Sequence, residues 1–188
     1  MLKLQGKDIY LAALERNDCK KLYQDAEYNP ADPADSTLFG YSIEKSDDWY
    51  EEIQKLLREN ENIRLGIFLN DGTIIGDVAL QGIDSINRSC SVGIGIAKIE
   101  NRSKGYGKQA VRLMLDYGFN NIGMERITAE TLEVNFASQK ALEGAGFVLE
   151  GRARKASYFR GKKYDVMHYG LLAEEWNLAV CGIKKLCS

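Results

Sequence analysis

The chain has 188 residues, of which 45% are hydrophobic and 28% charged, and its formal net charge is −2. These values are typical of one folded domain with a sizeable core, and they exclude a disordered chain and a strongly basic nucleic-acid-binding protein. No stretch approaches the roughly 20 apolar residues of a membrane-spanning helix, and residues 1–11 lack a signal-peptide pattern. We therefore expect one domain over residues 1–188, located in the cytoplasm and binding neither nucleic acid nor membrane.

Four cysteines and one histidine are the soft ligands that a metal site could use. They are Cys19, Cys90, Cys181, Cys187 and His168, and no two of the cysteines form a CxxC pair. A zinc site needs about four ligands at characteristic spacings. We therefore expect no metal site and free cysteine thiols.

The first sixty residues predict one strand and two helices. Residues 8–14, DIYLAAL, have the composition of a strand, and residues 15–29 place apolar side chains on one helical face. Both prolines of the chain lie in residues 30–42, which we predict to be a loop. Residues 47–60 fit an amphipathic helix with an acidic first turn, for which Ser46 is the expected N-cap.

Three consecutive strands are expected next. Residues 62–69 and 73–83 are rich in apolar and β-branched side chains, and Asp71-Gly72 between them supplies the positive φ angles of a hairpin turn. A polar turn then leads into a third strand over residues 90–98. Short turns of this kind join antiparallel neighbours, so the run predicts an antiparallel sheet.

The second half of the chain alternates helices and strands. Apolar residues recur with a helical period over residues 104–122, and a strand over 126–134 and a short helix over 135–146 follow. Two further strands, 147–159 and 164–176, form a final hairpin. The whole order predicts an α+β domain with a mostly antiparallel, twisted sheet of about seven strands flanked by helices.

The segment RSKGYGKQA, residues 102–110, joins the third strand of that run to a helix. Its glycines and cations are typical of a turn that presents backbone N–H groups to a phosphate at a helix N-terminus. A Walker loop is excluded, because Gln109 follows Lys108 where Ser or Thr is required. Residues 105–110 match G-x-G-x-x-A, but a dinucleotide site belongs to a parallel βαβ unit rather than to antiparallel hairpins.

A third kind of phosphate loop, R-x-x-G-x-G between an antiparallel strand and a long helix, matches residues 102–107. About thirty residues later, NFASQKALEGAGF (135–147) fits the pattern N-x-x-[SA]-x-x-x-x-E-x-x-G-F. With both motifs in this order, the chain resembles the GNAT superfamily of N-acetyltransferases over about residues 8–176. The ending GRARKASYFRGKKYDVMHYGLL is similar to the subgroup of ribosomal-protein alanine and spermidine acetyltransferases, which leaves residues 177–188 as a C-terminal tail.

The resemblance implies acetyl-CoA as the cosubstrate, with its pyrophosphate bound by the backbone of the first motif. The extended pantetheine arm would run along a free strand edge, in an opening between that strand and the one that ends at Val134. The loop over residues 30–42 lies where relatives shape the acceptor pocket. The expected cofactor-binding residues are Ile94, Gly95, Ile96, Arg102, Ser103, Lys104, Gly105, Tyr106, Gly107, Lys108, Asn135 and Ser138.

The resemblance is weaker for the residues that move protons. Many relatives carry a tyrosine acid where this chain has Leu142, and a glutamate base where it has Ser91. Among the remaining carboxylates, Glu130 on the strand that would line the cleft is the predicted catalytic residue, and Glu133 is the second candidate. The histidine is a natural base, but the alternation of its strand, YDVMHYGLL, does not decide which face His168 occupies.

The function implied by the resemblance is acetyl-CoA-dependent N-acetyl transfer, in which a primary amine attacks the acetyl group directly within a ternary complex. The expected acceptor is a protein N-terminus, a polyamine or another small-molecule amine, and a homodimer is one possible assembly. The absence of both usual proton-handling residues leaves an alternative, a catalytically silent coenzyme-A-binding module that acts as a sensor or a partner-binding subunit.

Overall fold

One eight-stranded sheet runs through the chain, and helices pack on both of its faces. The structure, a computed structural model, describes residues 2–29, 31–35 and 42–177. The strands are β1 (Lys3–Gln5), β2 (Ile9–Ala13), β3 (Ile63–Leu69), β4 (Ile74–Asp84), β5 (Ser89–Ile96), β6 (Arg126–Leu132), β7 (Val148–Phe159) and β8 (Lys162–Leu172). The helices are α1 (Arg16–Asp25), α2 (Lys45–Arg58), α3 (Tyr106–Asp116) and α4 (Phe136–Glu143), with 3-10 turns at Pro33–Asp35 and Ile99–Asn101 and a π-helical turn at Tyr117–Asn121.

The strand order is β1-β2-β3-β4-β5-β6-β8-β7, and every neighbouring pair is antiparallel except β5 and β6. The parallel pair is joined only where residues 89–91 face residues 126–128, a contact that we call the seam. The connection between these two strands contains α3, since parallel neighbours need a long crossover. The seam therefore joins an N-terminal part of the sheet, β1–β5, to a C-terminal part, β6–β8.

The hydrophobic core lies mainly under α3. Ala110, Met114 and Leu115 of this helix have no exposed surface, and they belong to a cluster that includes buried residues of both parts of the sheet. On the other face, α1 and α2 bury Cys19 and Ile53 in a smaller cluster with β3 and β4. Because the larger cluster spans the seam, packing against α3 holds the two parts of the sheet together even though few backbone hydrogen bonds do.

The element order agrees with the sequence-based prediction. The run of three antiparallel strands is confirmed as β3–β5, and the helix, strand, helix and final hairpin of the second half are all present. The sheet has eight strands rather than about seven, because β1 pairs with β2 at Lys3–Gln5. A three-residue strand is too short to have a readable alternation, which is why the pattern did not predict it. Helix α1 ends at Asp25 rather than at residue 29.

The expected N-cap of α2 is wrong. The helix begins at Lys45, with Glu44 in the N-cap position, so Ser46 lies inside the first turn. Ser46 is fully buried, and its hydroxyl donates a 2.6 Å hydrogen bond to the carbonyl of Ile43. A serine hydroxyl can satisfy a preceding carbonyl in this way instead of capping, and burial of the side chain favours that arrangement here.

The two hairpin turns differ in their backbone. In the β3–β4 turn only Gly72 has a positive φ, 92°, so the prediction of two such residues is wrong for Asp71. The Asp71 side chain instead accepts a 2.8 Å hydrogen bond from the Thr73 N–H, as aspartate commonly does in turns. In the β7–β8 turn, Arg160 (φ 46°) and Gly161 (φ 80°) both adopt the left-handed region that a two-residue hairpin turn requires.

A side chain at Gly76 would collide with the main chain of β5. A Cβ atom there would overlap the Gly95 carbonyl oxygen and lie 3.1 Å from the Ile96 Cα. We expect Gly76→Ala to lower the free energy of unfolding by about 1–3 kcal/mol, because β4 and β5 must shift apart. Gly151→Ala is the matched control, since no atom lies within 4 Å of its added Cβ. Urea denaturation measures both variants, and equal stabilities would contradict the prediction.

Candidate active site

A cleft opens where β5 and β6 separate. Their pairing stops after Ser91 and Thr128, so the later residues of both strands have no strand partner on the side that faces the cleft. The opening holds a cavity of about 320 Å³. The residues that line it are Ala34, Val92, Gly93, Ile94, Val111, Ala129, Glu130, Thr131, Leu132, Asn135, Ser138 and Leu142.

The cleft edge of β5 carries unpaired peptide groups. Alternate residues of an antiparallel strand bond to the same neighbour. The N–H of Ala97, just after β5, donates to the carbonyl of Ile75 in β4 at 2.9 Å. Ile94 and Ile96 are out of phase with Ala97, so their peptide groups face the cleft. Gly95 is in phase with Ala97, and its peptide groups face β4. The expected main-chain bond from Gly95 to a ligand stays a prediction, and this alternation, with Gly95 opposite Asp77 of β4, does not favour it.

The loop after β5 presents a row of free backbone donors. The N–H groups of residues 103–108 donate to no acceptor within the described part of the chain. Ser103 (φ 61°) and Gly105 (φ 85°) have left-handed backbone, and α3 begins at Tyr106, whose ring packs against the larger core. Left-handed backbone at a residue other than glycine is strained and is common at ligand sites. Free N–H groups at the start of an 11-residue helix are suited to an anion.

The cationic side chains of this loop have different surroundings. Lys104 and Lys108 are exposed, and neither forms an ion pair with any residue that the structure describes. The Arg102 guanidinium donates to the carbonyl of Glu27 at 2.8 Å and to that of Ile96 at 3.3 Å. Arg102 therefore ties the loop to the segment after α1 through main-chain carbonyls. The expected contact of its guanidinium with a phosphate is not supported by this arrangement.

Asn135 begins α4 at the wall of the cavity. Its Oδ1 accepts a 3.0 Å hydrogen bond from the Ser138 N–H, so the residue is a helix N-cap. Both residues are half-buried and line the cavity. Within residues 2–29, 31–35 and 42–177, the amide nitrogen of Asn135 has no acceptor. The cap therefore uses only the oxygen, and the two N–H donors of the side chain are available to a ligand.

Glu130 and His168 form a pair at the cleft. They face each other across the β6–β8 ladder, and His168 Nδ1 lies 3.0 Å from Glu130 Oε1. The carboxylate lines the cavity, whereas the imidazole does not. Alternation alone left the face of His168 open, and the register of β8 with β6 decides it. Glu130 is the single ionisable side chain among the described residues that line the cavity.

The positions of the usual acid and base are occupied by groups without acid–base function. Leu142 is buried and lines the cavity with its apolar side chain. The Ser91 hydroxyl lies outside the lining and donates a 3.3 Å hydrogen bond to the Gln81 carbonyl. The exposed side chain of Ile94 adds a second apolar surface to the cleft. The wall is thus largely apolar apart from Glu130, Thr131 and the start of α4.

Glu133, the second candidate base, is engaged at the rim of the cleft. Its Oε1 accepts a 3.0 Å hydrogen bond from the Asp165 N–H, and its Oε2 lies 2.6 Å from Arg152 Nη2. Asp165 is buried, pairs with Arg152 Nε and accepts a 2.7 Å hydrogen bond from the Lys155 N–H. This network joins the end of β6 to the β7–β8 hairpin, so Glu133 has a structural partner and does not line the cavity.

Several predicted residues thus come together. Ile94, Glu130, Asn135 and Ser138 line one cavity. The loop adjoins it, since a Cβ added at Gly107 would lie 3.5 Å from the Ile94 side chain. Sequence reasoning missed the lining residues Thr131 and Leu132, which no motif marks and which only the open edge of β6 exposes. It also did not single out Ala34, although that residue lies in the loop expected near the acceptor.

The two cysteines that the structure describes do not line the cleft. Cys19 and Cys90 are free and buried, and burial raises the pKa of each thiol to about 12. Cys181 and Cys187 lie outside the described residues. Among the residues that are described, no group of three or more His, Cys, Asp or Glu side chains could hold a metal ion. In that part of the chain, no helix is both long and apolar enough to cross a membrane.

An open strand edge beside a helix that begins with free N–H groups defines a cleft for an extended, phosphorylated cofactor. The family profile described as "Acetyltransferase (GNAT) domain" matches residues 8–148, and the chain belongs to this family of N-acetyltransferases, which use acetyl-CoA. "Probable N-acetyltransferase YjcK" of Bacillus subtilis (strain 168) is 34% identical over 165 residues, covering 81% of this chain and 87% of the relative.

Two further relatives differ in their acceptors. The spermidine N(1)-acetyltransferase of Vibrio cholerae serotype O1 is 27% identical over 171 residues, covering 91% of this chain and 96% of the relative. The solved structure of RimL, described as a ribosomal L7/L12 alpha-N-protein acetyltransferase in complex with coenzyme A, has a TM-score of 0.81. It is 19% identical and covers 91% of this chain and 98% of that chain, so it supports the fold. Neither relative gives support to the catalytically silent alternative.

The rim network makes a prediction about acid stability. The Lys155 N–H hydrogen bond, and next the Arg152 guanidinium, hold the pKa of Asp165 below its usual range. A carboxyl with a lowered folded pKa stabilises the protein above its unfolded pKa of about 3.9, and this is lost as the pH falls through the folded value. We therefore expect Asp165→Asn to destabilise the fold at pH 7 and to lose this difference in strong acid.

Urea denaturation of the wild type and Asp165→Asn, at pH 7 and in strong acid, measures the difference in the free energy of unfolding. Asp116→Asn is the control, since Asp116 is exposed and accepts a hydrogen bond only from the Asn120 side chain. A destabilisation of Asp165→Asn that is the same at both pH values would contradict the charge-based account.

Proposed function

We propose that the cleft between β5 and β6 binds acetyl-CoA, with the pyrophosphate at the N–H groups of residues 103–108. The observation that carries this proposal is the row of N–H groups that donate to no described residue, next to a strand edge without a strand partner. Lys104 and Lys108 would neutralise the phosphate charge, since both are exposed and without an ion pair among the described residues. Gly105 and Gly107 would allow the phosphate to approach the backbone closely.

The pantetheine arm would occupy the strand edge. Its amides can pair with the peptide groups of Ile94 and with the N–H of Ile96, in the way an added strand pairs with an open sheet edge. The Ile96 carbonyl already accepts from the Arg102 guanidinium. The free N–H donors of Asn135 would bind a carbonyl of the arm from the opposite wall, and Ser138 would contribute its hydroxyl. Apolar contact with Ile94 and Leu142 would exclude water from the reacting end.

Catalysis requires an amine without its proton next to the acetyl group. Acetyl-CoA supplies that group in activated form, and we propose direct attack by the amine in a ternary complex. Glu130 is suited to accept the amine proton, because it is the one ionisable lining residue among those described. A hydrogen bond from His168 Nδ1 to one carboxylate oxygen leaves the other oxygen facing the amine. His168 would thus orient Glu130, and the proton taken from the amine would leave to solvent directly from the Glu130 carboxyl group, whose side chain is 64% exposed.

An acid for the leaving thiolate is not needed in the usual position. A thiol of the cysteine type has a pKa of about 8.5, so the thiolate is a moderately good leaving group near neutral pH. Correct placement of the two reactants can supply effective molarities of about 10⁵ M or more. The presence of Leu142 instead of a tyrosine is therefore compatible with turnover.

The acceptor that we propose is a primary amine of a protein N-terminus, a polyamine or another small molecule. The two relatives named above act on spermidine and on a ribosomal protein N-terminus by their descriptions, which supports both classes. A homodimer and a cytoplasmic location stay predictions.

The substitution Asn135→Asp distinguishes a helix-capping role of this residue from a ligand-binding role. Aspartate can still accept the Ser138 N–H, so Asn135→Asp should keep the melting temperature of the protein without ligand. It cannot donate when ionised and would repel an anionic cofactor. We expect coenzyme A to bind this variant at least about tenfold more weakly, which is about 1.4 kcal/mol.

Calorimetric titration with coenzyme A, paired with thermal melting, measures both properties. Asn62→Asp is the matched control, because its Oδ1 likewise accepts a backbone N–H, that of Gly82, at 2.8 Å but lies outside the cleft. Equal affinity in the Asn135→Asp variant and the wild type would remove Asn135 from the binding site.

Glu130→Gln tests the base. The amide keeps the size of the side chain but cannot take the amine proton, so we expect kcat to fall by about 10²–10⁴ with unchanged coenzyme A affinity. Thiol release from acetyl-CoA with a panel of amines measures the rate. Glu52→Gln, an exposed change on α2, is the control. His168→Ala should retain most of the activity, since the carboxylate remains in place.

Three outcomes would contradict the roles proposed for Glu130 and His168 or the transferase function. Full activity of Glu130→Gln would show that water or the acceptor itself handles the proton, and a hundredfold loss on His168→Ala would make the imidazole the base. Absence of turnover with every amine, despite coenzyme A binding, would contradict the transferase assignment itself.

A further inference from the structure

The β7–β8 hairpin extends beyond the sheet. Strand β8 pairs with β6 only from Val166 to Leu172, whereas β7 and β8 continue to pair as far as Phe159 and Lys162. Residues 154–164 therefore form a two-stranded projection, which we call the arm. It leaves the sheet at the end of β6 where the cleft opens, since Val166 faces Leu132 and Leu132 lines the cavity.

The arm concentrates positive charge. It contains five Lys or Arg and no Asp or Glu, so the other 177 residues hold 20 basic and 27 acidic side chains, a net charge of −7. All five cations are exposed, and none forms an ion pair with a residue that the structure describes. The five are Arg154, Lys155, Arg160, Lys162 and Lys163.

The position of the arm relative to the cleft is set by its root. Lys155 has a positive φ of 55° in an irregularity of β7, and Asp165 accepts its N–H at 2.7 Å. Asp165 and Glu133 both pair with Arg152, whereas the five cations of the arm form no ion pair with a described residue. Tyr158 is 69% exposed on the same arm and offers an amphipathic contact surface.

We propose that the arm binds an acidic surface of a polypeptide whose amino group enters the cleft, so that the favoured acceptor is an amine on an acidic protein. The inference rests on the proposed transferase function. A polypeptide combines an alkyl amine with anionic side chains, whereas nucleic acid offers no alkyl amine to acetylate. A polyamine would meet five like charges beside the entrance, which disfavours its binding.

Electrostatic attraction between the arm and an acidic polypeptide does not require direct contact. Unpaired charges of one sign steer an oppositely charged partner and raise its association rate, and the effect falls as salt shortens the Debye length of about 10 Å at 0.1 M. A single solvent-exposed ion pair contributes little binding free energy. The five cations of the arm would therefore have to act together to select a partner.

The test uses peptides with a free α-amino group that are identical except for a central block of Glu, Gln or Lys. In the wild type at low salt we expect kcat/KM to be at least about tenfold higher for the Glu peptide than for the Gln peptide. In the variant Arg160→Gln/Lys162→Gln/Lys163→Gln this ratio should fall toward one. The control Lys7→Gln/Lys55→Gln/Arg58→Gln removes three exposed cations from the N-terminal part of the chain and should keep the preference.

Fluorescence anisotropy of the same labelled peptides, in the presence of coenzyme A, gives a readout that needs no turnover. Binding of the Glu peptide that depends on the arm supports the proposal even where no peptide is acetylated, an outcome that would refute the transferase function alone. Equal binding and turnover of the Glu and Gln peptides would overturn the proposal and leave the transferase function intact. Preference for spermidine over the Glu peptide, or arm-dependent binding of single-stranded RNA without Glu preference, would also overturn it.

Discussion

The short parallel pairing of β5 with β6 is the constraint on which the rest of the site depends. Backbone pairing at the seam covers three residue pairs. Beyond it, each strand is held by its outer neighbour, β4 or β8, and by the core under α3. The inner edges therefore lack a strand partner without loss of the fold. An edge left unpaired inside a protein is costly unless water or a ligand satisfies it, so the cleft is suited to a ligand with amide groups.

The phosphate loop depends on the same arrangement. Because β5 ends at the open side of the seam, the chain turns there and enters α3. The N–H groups of residues 103–108 donate to no acceptor that the structure describes. The strained backbone at Ser103 persists because Arg102 fixes the loop to the carbonyls of Ile96 and Glu27. Arg102, which the motif assigns to the phosphate, donates to main-chain carbonyls of the protein. In the proposed complex the loop backbone and two lysines would face the ligand.

The proposed acid–base pair and the basic arm both lie on strands other than those that flank the loop of residues 103–108. The Glu130–His168 pair belongs to β6 and β8, on the wall opposite the edge of β5. The basic arm continues from those two C-terminal strands and is anchored by Asp165. Under the proposed function, the N-terminal part with its loop would bind a constant cosubstrate, while the C-terminal part would supply the groups that distinguish acceptors. Such a division lets acceptor preference change without disturbing the cofactor site.

The sequence by itself determined the order of elements, the antiparallel run, the position of the glycine-rich loop and the residues of α4. These features depend on local signals. Periodicity, turn residues and motif spacing each involve residues that are close in the sequence, so the sequence alone reveals them. The sequence did not predict the short strand β1 or the position of Ser46 inside the first turn of α2. No local pattern distinguishes a three-residue strand from a loop, or a serine in the first turn from an N-cap.

Only the tertiary structure decided which groups meet. The register of β8 on β6 puts His168 beside Glu130, although the two residues are 38 positions apart in the sequence. The pairing of β5 with β4 decides that the peptide groups of Ile94 and Ile96 face the cleft, whereas those of Gly95 face β4. The same holds for the arm, whose charges are visible in the sequence but whose place at the entrance is not. Strand register and the limit of the seam are set by long-range packing, and no local signal in the chain specifies them.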